Sequence, residues 1–171
     1  MFFSVRDLEL RSIPFDVSFA PGGIEFLDKK LRQSEPLRVI GEAAIANPAG
    51  EIRVRGHISG RIEFDCDRCL EAGVLEVDAD FDLHYAPDEG DWAGHEMAIS
   101  EEDSEMGFYE GDGLELAEVV REQVLLTLPM QRTCKPDCLG ICPICWQNRN
   151  HTECQCRRQA VDPRWDALRS L

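Results

Sequence analysis

A chain of 171 residues, 43% of them hydrophobic, is long enough to bury a core of its own, so its eight cysteines are not needed as covalent staples. Its formal net charge of −15 argues against a body built to grip phosphate backbones and favours a basic protein partner. The charge is uneven: residues 1–129 hold 11 Lys and Arg against 29 Asp and Glu, net −18, whereas residues 130–171 hold 7 against 4, net +3. Charged side chains appear as early as Arg6 and Asp7, and no apolar run of signal-peptide or membrane-spanning length follows. A cytoplasmic location is therefore expected, where thiols stay reduced and clustered cysteines hold metal rather than form disulfides.

In chain order, Phe15–Phe19 alternates apolar and polar residues and reads as a first strand, ended by Pro21-Gly22-Gly23. Residues Ile24 to Gln33 fit either a short helix or a loop. Three longer segments then alternate with the period of half-buried strands. The first places Leu37, Val39, Gly41, Ala43 and Ile45 on one face; the second does the same with Ile52, Val54, Gly56, Ile58, Gly60, Ile62, Phe64 and Cys66. The third does so with Leu75, Val77, Ala79, Phe81, Leu83 and Tyr85, opposed by the acidic row Glu76, Asp78, Asp80 and Asp82. Asn47-Pro48-Ala49-Gly50 supplies the turn of the first hairpin, and the second hairpin carries Cys66 and Cys69 at its tip.

From Asp88 to Gly113 there are ten acidic residues and no Lys or Arg, the signature of a solvated loop. A helix over 113–128 follows, with Asp112 as its cap, Glu115 completing a capping box, Leu116, Val120, Val124 and Leu128 on the apolar side, and Pro129 as its stop. A last short helix is expected from Asp162-Pro163, with Trp165, Leu168 and Leu171 on one side. The fold class expected is α+β: an antiparallel meander, open or barrel-like, one packing helix, and a cysteine-rich, zinc-ribbon-like tail. The organisation is an acidic β-rich body over 1–129 and a zinc-binding tail over 130–171.

The cysteines fall into four close pairs, Cys66/Cys69, Cys134/Cys138, Cys142/Cys145 and Cys154/Cys156. Zinc takes four ligands in a tetrahedron, and two thiolates spaced by two residues reach one ion from a tight turn. The spacing groups Cys142, Cys145, Cys154 and Cys156 as a first Zn2+ site within the tail. Cys66, Cys69, Cys134 and Cys138 form a second, tying the hairpin tip to the tail. All-cysteine sets are structural, whereas a catalytic zinc keeps an open position. His57, His84, His95 and His151 have no ligand-like spacing, and no nucleophile motif, phosphate loop or dinucleotide fingerprint is present, so no enzyme activity is expected.

The stretches Asp65-Cys66-Asp67-Arg68-Cys69-Leu70, then Glu110-Gly111-Asp112 with the helical segment Leu114–Met130, then Cys134-Lys135-Pro136-Asp137-Cys138-Leu139-Gly140-Ile141-Cys142-Pro143-Ile144-Cys145, Cys154-Gln155-Cys156 and Asp162-Pro163-Arg164-Trp165, together resemble the YceD family. The likeness runs from about residue 37 to Leu171. It implies a factor in ribosome biogenesis that promotes accumulation of large-subunit ribosomal RNA, with a basic ribosomal protein of the large subunit or a pre-ribosomal particle as partner. Some members lack the tail cysteines, which implies a stabilising role for the metal. Two residues depart from the pattern: Trp146 stands where glycine is usual, with shielding of the metal or packing on the sheet as its expected role, and Arg149 where leucine is usual. The acidic residues expected to meet the partner are Glu76, Asp78, Asp80 and Asp82 with the loop residues Glu101, Glu102, Asp103 and Glu105. The alternative is a zinc-ribbon nucleic-acid-binding adaptor using Arg132, Lys135, Arg149, Arg157 and Arg158 on phosphates.

Overall fold

A computed structural model gives the arrangement of residues 1–88 and 106–156. Their elements, in order, are β1 (Phe2–Ser4), α1 (Val5–Leu10), β2 (Ile13–Phe19), β3 (Leu31–Gln33), β4 (Leu37–Ile45), β5 (Ile52–Asp65), β6 (Ala72–Pro87), β7 (Met106–Tyr109), β8 (Gly113–Glu115) and α2 (Leu116–Thr127). The main sheet runs β2-β4-β5-β6-β7, with β3 also pairing β5 beyond the end of β4. All these pairs are antiparallel except β6 with β7, which is parallel. The described sheet is open, so the barrel-like alternative is corrected. Among the described residues no helix is long and apolar enough to cross a membrane.

The period-two reading of the three long strands matches their burial. Leu37, Val39, Ala43, Ile52, Val54, Ile58, Ile62, Val77 and Phe81 are buried on one face, in one cluster with Leu116, Val119, Val120 and Val124 of α2. Shielding apolar side chains from water is the main gain here, since a fully buried Val or Ile is worth about 1.5–3 kcal/mol. Near its middle the sheet has no room for side chains on that face: Gly41 faces Gly56 across β4 and β5, with the rings of Phe15 and Phe81 against them.

Helix α2 starts later than the sequence pattern suggests. Gly113–Glu115 is drawn into a two-stranded ladder with β1, and the N–H of Leu116 is bonded to the carbonyl of Met1 at 2.9 Å. The expected box is absent: Glu115 sits at the cap position in extended backbone with no side-chain cap bond. At the other end Leu128 is extended, as the residue before a proline tends to be. Ile24–Gln33 forms no helix; it is irregular and ends in β3. The acidic connection contains one strand, β7, within its described part. Residues 89–105 and the expected helix from Asp162 lie outside the described residues.

The outer face of the sheet is a ladder of cross-strand ion pairs. Arg38 holds Asp16 through two bonds of 3.0 and 2.8 Å, Arg53 holds Asp82, Arg55 meets Glu42, Arg61 reaches Glu35 and Glu76, and His57 lies between Asp78 and Asp80. The row Glu76–Asp82 is thus partnered and not bare. Such exposed pairs add little stability but reinforce register. The side-chain bond from Arg38 holds the Asp16 carboxyl below its usual 3.8, and that from Arg53 does the same for Asp82. Both folded values are depressed, so the stabilisation is complete above pH 3.8 and is lost as the pH falls through the folded values. The urea midpoint is expected to fall between pH 4 and pH 2, with Asp16→Asn and Asp82→Asn both flattening that fall. A midpoint with the same acid slope in both variants counts against these pairs.

Candidate metal centres

The tip of the β5–β6 hairpin and the tail contain the same turn twice. In the first, the N–H of Cys66 is bonded to the carbonyl of Glu71 (2.8 Å) and the N–H of Leu70 to that of Cys66 (2.9 Å). In the second, Cys142 N–H meets the Gln147 carbonyl and Trp146 N–H the Cys142 carbonyl, both at 2.9 Å. The residue after each Cys-x-x-Cys has left-handed backbone, Leu70 at φ 62° and Trp146 at φ 61°. This is the conformation that glycine adopts at least cost. Trp146 neither shields the sulfurs nor packs on the sheet, since the residue is 78% exposed. The expectation of shielding or packing is therefore corrected. Trp146→Gly should relieve the strain and raise stability by about 1 kcal/mol. The melting temperature would then rise by roughly 2–4 °C; a fall would show that the indole packs usefully.

The tail lies against the hairpin tip through backbone and side-chain bonds. Ile141 N–H reaches the Arg68 carbonyl at 2.9 Å, the Arg68 guanidinium reaches the Cys138 carbonyl at 3.2 Å, and His151 Nε2 lies 2.6 Å from Glu71 Oε1. Gly140, at φ 70°, passes so close that a Cβ there would sit 3.0 Å from the Arg68 carbonyl oxygen. His151 therefore joins tail to hairpin and is not in either sulfur group. Arg132 is a second clamp, with its guanidinium 2.8 Å from Asp28 and its N–H 2.9 Å from Asp67. Its side chain is only 15% exposed, so Arg132 is corrected from phosphate contact to structural clamp. Lys135 and Arg149 are exposed, whereas Arg157, Arg158, Glu101, Glu102, Asp103 and Glu105 lie outside the described residues.

These contacts bring eight sulfurs together in two sets. Cys66, Cys69, Cys134 and Cys138 form one, and Cys142, Cys145, Cys154 and Cys156 the other, the sulfurs of each lying within 4.8 Å of one another. They are the two sets that the spacing had grouped. Cys66 and Cys138 sulfurs are 3.8 Å apart, and those of Cys69 and Cys134 3.5 Å. A tetrahedron with metal–sulfur bonds of about 2.3 Å has edges of about 3.8 Å, so each set fits one ion and not a multinuclear cluster. All eight cysteines are free thiols. The first set is the more enclosed, with Cys66, Cys69 and Cys138 buried; in the second only Cys142 is buried and Cys156 is exposed. The first also spans the border drawn at 129/130, so the hairpin tip and tail share one set of candidate ligands.

The local electrostatics favour thiolate unevenly within each set. Burial opposes ionisation of Cys66, but the backbone N–H groups of Cys134, Arg68 and Cys69 outweigh it and bring its pKa down to about 6. Burial pushes Cys69 up to about 12. The N–H groups of Cys145 and Ile144 draw Cys142 down to about 6, while Cys156, crowded by the sulfur of Cys145, is pushed up to about 12. Four thiolates at this spacing repel one another, and a cation at their centre removes that penalty. Asn150 adds a direct bond from Nδ2 to the Cys138 sulfur at 3.3 Å. Sequence reading missed Asn150, Arg68 and Leu70; only for Leu70 was a local signal present, the repeated position after Cys-x-x-Cys.

Compared with known families, residues 54–171 match the one described as large ribosomal RNA subunit accumulation protein YceD. The chain belongs to the YceD family. The match takes in most of β5, the hairpin tip, α2 and the whole tail. The family's likeness extends to the uncharacterized protein YlbN of Bacillus subtilis, 25% identical over 99% of this chain and 93% of that protein. An uncharacterized protein of Mycobacterium tuberculosis is 31% identical over 68% of this chain, and the aligned region is 54% of its length, so the chain spans about half of that relative. The same figures hold for an uncharacterized protein of Mycobacterium bovis. No solved structure matches the chain.

Proposed function

We propose that this protein is a non-catalytic, cytoplasmic factor of ribosome biogenesis that promotes accumulation of large-subunit ribosomal RNA by binding a basic ribosomal protein or a pre-ribosomal particle. The observation that carries this reading is the YceD match over residues 54–171. The net charge of −15 supports a basic partner, because complementary charge speeds encounter and suppresses wrong partners. In this reading Zn2+ is the metal of both sulfur sets and has a structural role, holding the hairpin tip and the tail together. The all-thiolate donors and their mononuclear spacing support that assignment. Depleting the protein from cells should lower the ratio of large- to small-subunit ribosomal RNA. An unchanged ratio sinks the biogenesis role, and metal analysis yielding iron in place of zinc sinks the cofactor.

A second reading, a zinc-ribbon adaptor that touches RNA directly, draws on the exposed Trp146 together with exposed Lys135 and Arg149. Base stacking on an exposed indole and phosphate contacts from two cations are its chemistry. Steep salt dependence of RNA binding by the zinc-loaded full chain, with the slope reduced in Lys135→Ala and Arg149→Ala and the affinity lowered in Trp146→Gly, would favour it over the protein-partner reading.

A further inference from the structure

Among the described residues, strand β6 is paired over most of its length on one side only. Toward β5 its register is continuous from Ala72 opposite Asp65 to Tyr85 opposite Ile52. On the other side β7 covers just His84–Pro87. Among the described residues no strand meets the outer edge of β6 between Ala72 and Leu83, roughly 40 Å of extended backbone. Edge strands are commonly blunted by lysine, proline or a bulge. The stretch Ala72–Leu83 contains no Lys, Arg or Pro, and its register against β5 is unbroken.

Both faces of this edge specify what would fit beside it. On the outer face stand Glu76, Asp78 and Asp80, with side chains 76%, 78% and 91% exposed. The neighbouring cations are shared: Arg61 serves Glu35 as well as Glu76, and the single ring of His57 serves both Asp78 and Asp80. The row therefore keeps an excess of negative charge. On the inner face Leu75, Ala79 and Leu83 are only half-buried, although they pack against the core. A strand laid along the edge would cover them while using the free main-chain groups of β6. A second copy of this chain would set one acidic row against another, and like charges directly opposite are destabilising. A nucleic-acid backbone is repelled for the same reason.

We propose that the outer edge of β6, from Ala72 to Leu83, takes up an extended segment of a basic protein as an added strand. The segment alternates Lys or Arg over the acidic row with apolar residues over Leu75, Ala79 and Leu83. The inference rests on the basic-partner reading above and names the place and manner of binding.

The test uses the zinc-loaded full chain and a synthetic peptide alternating Lys and Val. Two further peptides carry N-methyl groups on alternate residues, one on the odd and one on the even positions. Methylation of the positions that face β6 is expected to weaken binding at least tenfold, and methylation of the others to change it less than twofold. Hydrogen exchange of alternate amides within Ala72–Leu83 should slow at least tenfold on binding. Glu76→Lys with Asp78→Lys should also weaken binding by about tenfold at low salt. If the peptide binds while both methylated forms bind alike and the β6 amides are unchanged, charge alone attracts it and the edge inference is overturned. Alternate amides already protected in the free chain, or a dimer joined at this edge, overturn it too. No binding of the peptide at low salt overturns the basic-partner reading itself.

Discussion

With one ion in each sulfur set, as proposed, Cys138→Ser is expected to lower the metal content from two ions per chain to one and to release the tail from the hairpin tip. Cys138 is buried, 3.8 Å from the sulfur of Cys66 across 72 positions of sequence, and also receives the Asn150 amide. A structural metal binds the folded state alone, so its binding free energy is folding free energy. The loss should be at least about 3 kcal/mol, since a buried thiolate set is left incomplete. That corresponds to roughly 10 °C in melting temperature. Cys156→Ser should differ in kind: Cys156 is exposed, and all four ligands of its set lie between Cys142 and Cys156. It should lose one ion and loosen the tail, with the main unfolding transition of the sheet nearly unmoved. Metal analysis and calorimetry on the two variants separate these outcomes, and equal transitions would show that neither set couples tail to body.

Gly41→Val should destabilise the sheet by about 3 kcal/mol or more, near the upper end of what overpacking a core costs. A Cβ at Gly41 would lie 2.2 Å from the Arg55 carbonyl oxygen and 2.9 Å from the Phe15 ring. Its partner Gly56 is as constrained, with the Ile40 carbonyl at 2.4 Å and the Phe81 ring at 3.0 Å. Backbone on the neighbouring strand cannot withdraw without breaking the β4–β5 ladder, and the two rings fill the space on the core side. The urea midpoint measures the loss, and an unchanged midpoint would mean that the strands can part here at little cost. Gly22→Ala is the control: at φ 80° with nothing within 4 Å it should lose only about 1 kcal/mol from backbone strain.

The parts of this molecule that could be read directly are those whose cause is local. Alternation over Leu37–Ile45, Ile52–Asp65 and Ala72–Pro87 expresses the pleat itself, and the buried faces are the ones that the apolar residues mark. The elements that escaped, β1, α1, β3, β7 and β8, are too short to show a period. The start of α2 moved because β1 competes for Gly113–Glu115, a contact no local pattern reveals. Arg132 looked like a free cation in a basic tail and is instead turned onto Asp28 and Asp67.

The cysteines divide along the same line. By itself the sequence determined that paired thiols occur at ligand spacing, that the body is acidic, and that three strands carry a one-sided apolar face. It also carries the YceD pattern, because order and spacing along the chain are what such a pattern consists of. Only the tertiary structure decided that the hairpin tip and the tail bring their sulfurs within one tetrahedral edge of each other, that the β6 row is partnered by β5, and that among the described residues no strand meets one edge of β6 from Ala72 to Leu83. The physical reason is range: alternation and turn chemistry act between neighbours, whereas these contacts join residues tens of positions apart and exist once the whole sheet has formed.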